Sequence, residues 1–161
     1  MKAYLGLGSN LGDRWAYLRQ AVEGLREVDA SLSVSPVYET APVGGPEQGA
    51  YLNCVVRVDT ELDPFALLAL ARRLEAAAGR IRTVKDGPRT LDVDLLLIEG
   101  IQLTGPELTV PHPRMAERAF VLAPLEDLDP TLVSEGWRSR VPEASTAVGL
   151  RRLGTLSLNR S

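Results

Sequence analysis

Cysteine and histidine are almost missing from this chain: 161 residues contain one of each, Cys54 and His112. A lone cysteine excludes an intrachain disulfide and suits a reducing compartment. Lying in an apolar strand pattern, Cys54 reads as a buried core thiol rather than a nucleophile. A single histidine leaves little for a His-based zinc cluster or a Ser-His-Asp triad. Lysine is scarce too, since sixteen of the eighteen basic residues are arginine, as either heat adaptation or coding bias would produce. No stretch approaches the ~18 apolar residues of a membrane span. Met1-Lys2-Ala3-Tyr4-Leu5 enters a strand pattern with no apolar segment resembling a signal peptide, so a cytoplasmic location is expected. The formal net charge of −3 speaks against a general nucleic-acid binder. Internal repeats and interdomain linkers are absent, and one domain over residues 1–161 is expected.

What is present concentrates in one segment. Leu91–Ile98 is an apolar run bounded by Gly87-Pro88 and by Glu99-Gly100, the pattern of a buried strand. Asp92 and Asp94 sit inside it. Side chains alternate across a strand, so both carboxylates share a face, roughly 6.5–7 Å apart along the chain. Two ionised carboxylates near a core repel each other unless a cation holds them, and a pair of Mg²⁺ ions serving phosphoryl transfer is one answer. A solvated pair at a strand end is the other. Just upstream lie Arg72, Arg73, Arg80, Arg82, Lys85 and Arg89, against only Glu75 and Asp86. Guanidinium groups grip phosphate oxygens with a planar donor fork. Gly79, Gly87 and Pro88 break the helix pattern and put these charges on a loop, either a cationic lid over a polyphosphate or a solvated charge run.

The rest of the chain supplies a scaffold. Ala3, Leu5 and Leu7 alternate with Tyr4, Gly6 and Gly8, and bare glycines on one face let a ligand approach the backbone. Asp13 is positioned to cap a helix through about Val28, with Trp15, Leu18, Val22 and Leu25 as its apolar stripe. Residues 32–38 and 51–60 read as strands. In the second, Leu52, Cys54, Val56 and Val58 face one way while Tyr51 and Asn53 share the other face. Asp63-Pro64 starts a second helix, whose stripe of Leu67, Leu70, Ala71, Leu74 and Ala78 ends at Gly79. With strand 91–98 the order is β-α-β-β-α-β, the ferredoxin-like arrangement of an α+β fold: an antiparallel sheet with packed helices. Residues 114–120 and the turn at Asp129-Pro130 predict short extra helices. From about Glu135 to Ser161 no firm pattern is visible.

The segment Lys85-Asp86-Gly87-Pro88-Arg89-Thr90-Leu91-Asp92-Val93-Asp94-Leu95-Leu96 resembles the signature of the 6-hydroxymethyl-7,8-dihydropterin pyrophosphokinase family of folate biosynthesis. Gly6-Leu7-Gly8-Ser9-Asn10-Leu11-Gly12, Tyr38–Gly44 with Tyr51–Cys54, Val110–Met115 and Glu117–Leu122 resemble further family blocks in the same order. The resemblance implies that a pterin alcohol attacks the β-phosphorus of ATP and that AMP leaves. It implies Asp92 and Asp94 as ligands of two Mg²⁺ ions, and Arg80 and Arg89 as phosphate contacts, assisted by Arg82 and Lys85. Arg72, Glu75, Leu95, Thr109, His112 and Arg118 are implied around the nucleotide. For the pterin the resemblance implies Gly8, the backbone of Thr40, Pro42, Val43 and Gly44, the amide of Asn53, Asp92, and a sandwich between Tyr51 and Phe120. Asp86 stands where family members often carry a lid tryptophan, and Arg72 where a neutral amide is common. The partners implied are ATP and hydroxymethyldihydropterin, and a monomer is expected.

Read without the resemblance, Phe120 could equally be core, Tyr51 and Asn53 a polar strand face, and His112 a turn residue between prolines. Paired aspartates on such a sheet also serve metal-dependent nucleases and nucleotidyl transferases, although these call for a broader positive surface. A non-catalytic ferredoxin-like module would need neither the carboxylates nor the arginines.

Overall fold

The computed structural model describes residues 1–40, 49–79, 90–141 and 150–156. The chain runs β1 (Lys2–Ser9), α1 (Arg14–Arg26), β2 (Ser33–Val34), β3 (Val37–Thr40), β4 (Tyr51–Asp59), α2 (Pro64–Ala77) and β5 (Asp92–Ile98). It continues with α3 (Ala119–Leu128), α4 (Trp137–Arg140) and β6 (Arg151–Gly154), with single 3-10 turns at Met115–Glu117 and Pro130–Leu132. The helix starts follow their caps. Asp13 accepts the Ala16 N–H at 3.1 Å, and Asp63 accepts those of Phe65 and Ala66 at 2.9 and 3.0 Å. At the other end of α2, Gly79 takes a left-handed φ of 71° that residues with a Cβ avoid.

Strands pair antiparallel in the order β5-β1-β4-β3-β6, with β2 also against β4. Two strands of the ferredoxin-like plan are central, β1 and β4, and β5 lies outside β1. One face of the sheet is sealed by α1 and α2. There Leu5, Leu7, Leu52, Cys54, Val56 and Val93 meet Leu18, Val22, Leu25, Leu67 and Ala71 in a single buried cluster. The opposite face carries α3, whose Val121 and Leu125 pack on Tyr4, Val55 and Leu96.

Three expectations need correction. The strand expected over 32–38 is interrupted at Ser35-Pro36, because proline has no N–H to give the ladder. Ser35 fills the gap: its N–H donates to the Val55 carbonyl and its Oγ accepts the Val55 N–H, both at 2.9 Å. The helix expected at 114–120 is one 3-10 turn followed by the ten-residue α3, which contains Pro124. The stretch beyond Glu135 contributes α4 and the edge strand β6, which extends the sheet beyond the ferredoxin-like plan.

Candidate active site

The alternation of β5 sends Val93 and Leu95 into the α1/α2 core and leaves Asp92 and Asp94, both half-buried, on the other face. The pairing of Tyr4 with Leu97 and of Leu5 with Leu95 leaves one extra residue on β5, a bulge at Leu96. Leu96 and Leu97 therefore both join the α3 side, and Ile98 returns to the opposite core. Asp94 pairs with Gly6 and Asp92 with Gly8, so each carboxylate has a bare backbone beside it. Gly8 in turn pairs with Asn53, and Asn53 with Tyr38. A single row across the sheet thus reads Asp92, Gly8, Asn53, Tyr38.

A side chain at the second place in that row would press on Asn53. A Cβ on Gly8 would lie 2.8 Å from Asn53 Oδ1 and 3.6 Å from Tyr51 Cδ1. Asn53 is buried, and its Nδ2 donates to Thr40 Oγ1 at 2.9 Å, which fixes the amide plane. Glu75 reaches in from α2. The residue is only 4% exposed, and its Oε2 accepts the Val93 N–H, between the two aspartates, at 3.0 Å. Arg72 approaches Glu75 Oε1 at 3.5 Å, from a guanidinium more than half exposed.

His112 closes the outer edge of β5 through its own N–H, which donates to the Leu96 carbonyl at 2.6 Å. Its Nδ1 accepts the Arg114 N–H at 3.1 Å, so the neutral ring carries its proton on Nε2. Burial, then the charges of Arg118 and Arg114, lower the His112 pKa and favour that neutral form. Arg118 lies 5.6 Å from the centre of the Phe120 ring at the start of α3. Phe120 is half-buried against the Tyr4–Val55–Leu96 cluster. Cys54 is buried, and burial pushes its thiol up to about 12, which leaves an inert packing group.

The structure therefore brings Gly8, Asn53, Thr40, Tyr51, Asp92 and Asp94 together on one face. It does not bring every implied residue there. The Leu95 side chain is turned into the opposite core, and Thr109 hydrogen-bonds the Gly105 carbonyl at 3.3 Å. Arg80, Arg82, Lys85 and Arg89, and Pro42, Val43 and Gly44, lie outside the described residues. Two polar residues that no spacing pattern singles out secure the entry to β4. Asn10 donates to the Gly49 carbonyl at 3.1 Å, and Arg14 to the Ala50 carbonyl at 3.0 Å and to Glu39 at 3.1 Å. Among the described residues no three His, Cys, Asp or Glu side chains converge as a metal cluster.

The model of the 7,8-dihydro-6-hydroxymethylpterin-pyrophosphokinase (HPPK) family matches residues 4–130. The chain belongs to the HPPK family. A pyrophosphokinase of Bacillus subtilis, named for 2-amino-4-hydroxy-6-hydroxymethyldihydropteridine, is 44% identical over 154 residues, 94% of this chain and 92% of its own. The enzyme of the same name from Methylorubrum extorquens is 46% identical over 84% of this chain and 87% of its own. The folic acid synthesis protein fol1 of Schizosaccharomyces pombe is 40% identical, and the chain spans 18% of its length. A solved HPPK-DHPS structure in complex with substrates superposes with a TM-score of 0.59. It shares 15% identity, covering 91% of this chain and 43% of that one, and so shows the fold alone. HPPK membership sets the reaction class: transfer of pyrophosphate to hydroxymethyldihydropterin in folate biosynthesis, with ATP as the co-substrate. No described helix is long and apolar enough to cross a membrane.

Proposed function

We propose that the row Asp92–Gly8–Asn53 is the centre at which this chain joins its two substrates, with Asp92 and Asp94 serving the triphosphate and Asn53 the pterin. The observation that carries this reading is the ladder itself, which sets a carboxylate strand one bare glycine away from a fixed amide. Half-buried carboxylates beside glycine backbone offer the hard oxygen donors that Mg²⁺ takes, so two Mg²⁺ ions fit Asp92 and Asp94. Mg²⁺ bound there neutralises phosphate charge and orients the triphosphate.

The chain's own groups do the rest. Asn53, with donor and acceptor on one planar group, meets the amide-like edge of the pterin, and Thr40 holds that amide in plane. Tyr51 and Phe120 supply the faces for stacking. Arg80 and Arg89, with Arg82 and Lys85, meet the phosphates, a role that rests on the family resemblance. The Glu75 carboxylate holds β5 by its Val93 N–H and so keeps Asp92 and Asp94 at a fixed place beside the nucleotide. Neutral His112, with Nε2–H free to donate, suits a phosphate oxygen without adding a titrating charge. Alignment of the pterin hydroxymethyl oxygen, the β-phosphorus and departing AMP is then a matter of positioning. We read the chain as one pyrophosphokinase domain, a cytoplasmic monomer acting on small molecules and not on nucleic acid.

Titration calorimetry tests the reading. Wild-type protein should bind hydroxymethyldihydropterin when Mg²⁺ and a non-hydrolysable ATP analogue are present, and Asp92→Asn should weaken the Mg²⁺-dependent part of that binding. Absence of pterin binding to the wild-type ternary mixture would sink it.

A further inference from the structure

The slot read as the pterin site has walls from a strand pair and a helix. Thr40, Tyr51 and Asn53 stand on β3 and β4, whereas Phe120 stands at the amino end of α3. Their separation decides whether a flat heterocycle is clamped or loose. The apolar contact of Val121 and Leu125 with Val55 holds helix to sheet, but apolar attraction is non-directional and does not by itself fix a helix's slide or rotation.

A directional link exists at Tyr38. This residue lies opposite Asn53 in the β3–β4 ladder and shares its sheet face with Thr40 two positions on. Its ring is buried among Ala119, Leu122 and Ala123 of α3 and Trp137, Val141 and Leu150 of the carboxy-terminal stretch. Its hydroxyl donates to Asp127 Oδ2 at 2.6 Å, the short distance of a bond to a charged acceptor. The far end of the link is also secured. Trp137 Nε1 donates to Glu126, the residue before Asp127, at 2.8 Å, and Arg138 stacks over the Trp137 ring at 4.5 Å. Arg152, which pairs with Tyr38 across β3–β6, approaches Asp127 at 4.0 Å.

We propose that the Tyr38–Asp127 hydrogen bond sets the width of the pterin slot, making Tyr38 a positioning residue for pterin recognition. The proposal rests on the reading that Asn53 and Phe120 line that slot. Tyr38 touches neither substrate. It acts by holding α3, and with it Phe120, at a set offset from the strand pair that carries Asn53. The carboxy-terminal appendage then has a use: α4 and β6 stiffen the brace from its outer side.

Pterin affinity in the full chain, measured by titration with Mg²⁺ and a non-hydrolysable ATP analogue present, is the test. Tyr38→Phe keeps the ring and should raise the pterin Kd about fivefold or more, since small misplacements of a recognition group are costly. The ATP-analogue Kd, measured separately with Mg²⁺ alone, should stay within about twofold, and so should kcat at saturating pterin, the KM-against-kcat split of a ground-state positioning role. Asp127→Ala should repeat the effect. Asp127→Asn, whose amide oxygen still accepts the Tyr38 proton, should restore most of the pterin affinity. Unchanged pterin Kd in both Tyr38→Phe and Asp127→Ala overturns the proposal, as does an equal loss of pterin and ATP-analogue affinity. Asn53→Ala, run alongside, separates the layers. If it weakens pterin while Tyr38→Phe does not, the brace fails and the slot stands. If neither weakens pterin, the slot itself is misplaced.

Discussion

The two faces of the sheet are built on opposite terms. Under α1 and α2 the sheet meets a closed apolar cluster that runs from Ala3 and Leu5 on β1 to Val93 and Leu95 on β5, with Ser9 a buried polar exception. Under α3 the helix covers Tyr4, Val55 and Leu96 and, on β3, Tyr38. The remainder carries Gly6, Gly8, Tyr51, Asn53, Asp92 and Asp94. One face supplies the stability that lets the other carry charge and bare backbone, so damage to each should register in a different assay.

The largest effect should come from the open face. Asp92→Asn or Asp94→Asn should cut turnover by on the order of a thousandfold or more, judged against other charge-neutralising groups in phosphoryl transfer. Thermal melting should place the variant protein near wild type. Near-normal AMP release by both variants would remove the metal assignment. On the closed face the reverse holds. Leu18→Ala or Leu25→Ala, each at fully buried positions, should cost about 2–5 kcal/mol in urea unfolding. The folded fraction of either variant should keep its kcat. A drop in kcat beyond the unfolded fraction would show that the faces are coupled.

Smaller effects sharpen the line within the open face. Asn53→Ala and Phe120→Ala should each weaken pterin binding about tenfold, by leaving a buried edge unpaired or a stacking face empty. ATP-analogue binding should be nearly intact in both. Gly8→Ala should resemble Asn53→Ala, because its Cβ would come within 2.8 Å of Asn53 Oδ1 and displace the amide. Equal loss of both ligands would mean a disturbed sheet.

The smallest effect belongs to Tyr38, where both faces' logic meets. Burial, then the hydrogen bond to Asp127 and its charge, raise the Tyr38 phenol from 10.0 to about 12. A raised pKa means that the folded state favours the protonated phenol. Its contribution is whole below pH 10 and fades as pH rises through about 12. Wild-type stability should therefore fall more steeply across that alkaline window than that of Tyr38→Phe. Parallel urea midpoints for the two proteins from pH 9.5 to 12 would contradict this assignment.

How far these features could be read in advance followed from what each segment buries. Strands β1, β4 and β5 and helices α1 and α2 announce themselves through alternation, helical stripes and caps because one face of each is sealed. The bulge at Leu96 leaves no mark in a run of three leucines, since either neighbour can be apolar. Helix α3 is obscured by Pro124, whose ring argues against a helix interior, although six of its ten residues are buried. Strand β6 reads Arg-Arg-Leu-Gly with largely exposed side chains, so no alternation betrays it. At the site, Asp92, Asp94 and Asn53 stand out as polar groups in apolar strands. Tyr38 does not, because an aromatic in a strand looks like core until its hydroxyl is found on Asp127. Leu95 likewise takes its side from alternation, which turns its side chain away from the carboxylates.

The row of four residues across the sheet also acts as a ruler. Asn53 and Asp92 are separated by one strand, which makes two interstrand spacings of about 4.8 Å each, or about 9–10 Å between their backbones. Hydrogen-bonded ladders hardly stretch, and the strand between them has no side chain at Gly8 to crowd the gap. If pterin is gripped at Asn53 as proposed, its recognised edge and its alcohol must span that gap to reach the triphosphate. Two fused rings with a one-carbon arm suit the measure. On that reading a single ring gripped by the same amide would stop short of the phosphate, so strand spacing would discriminate by length.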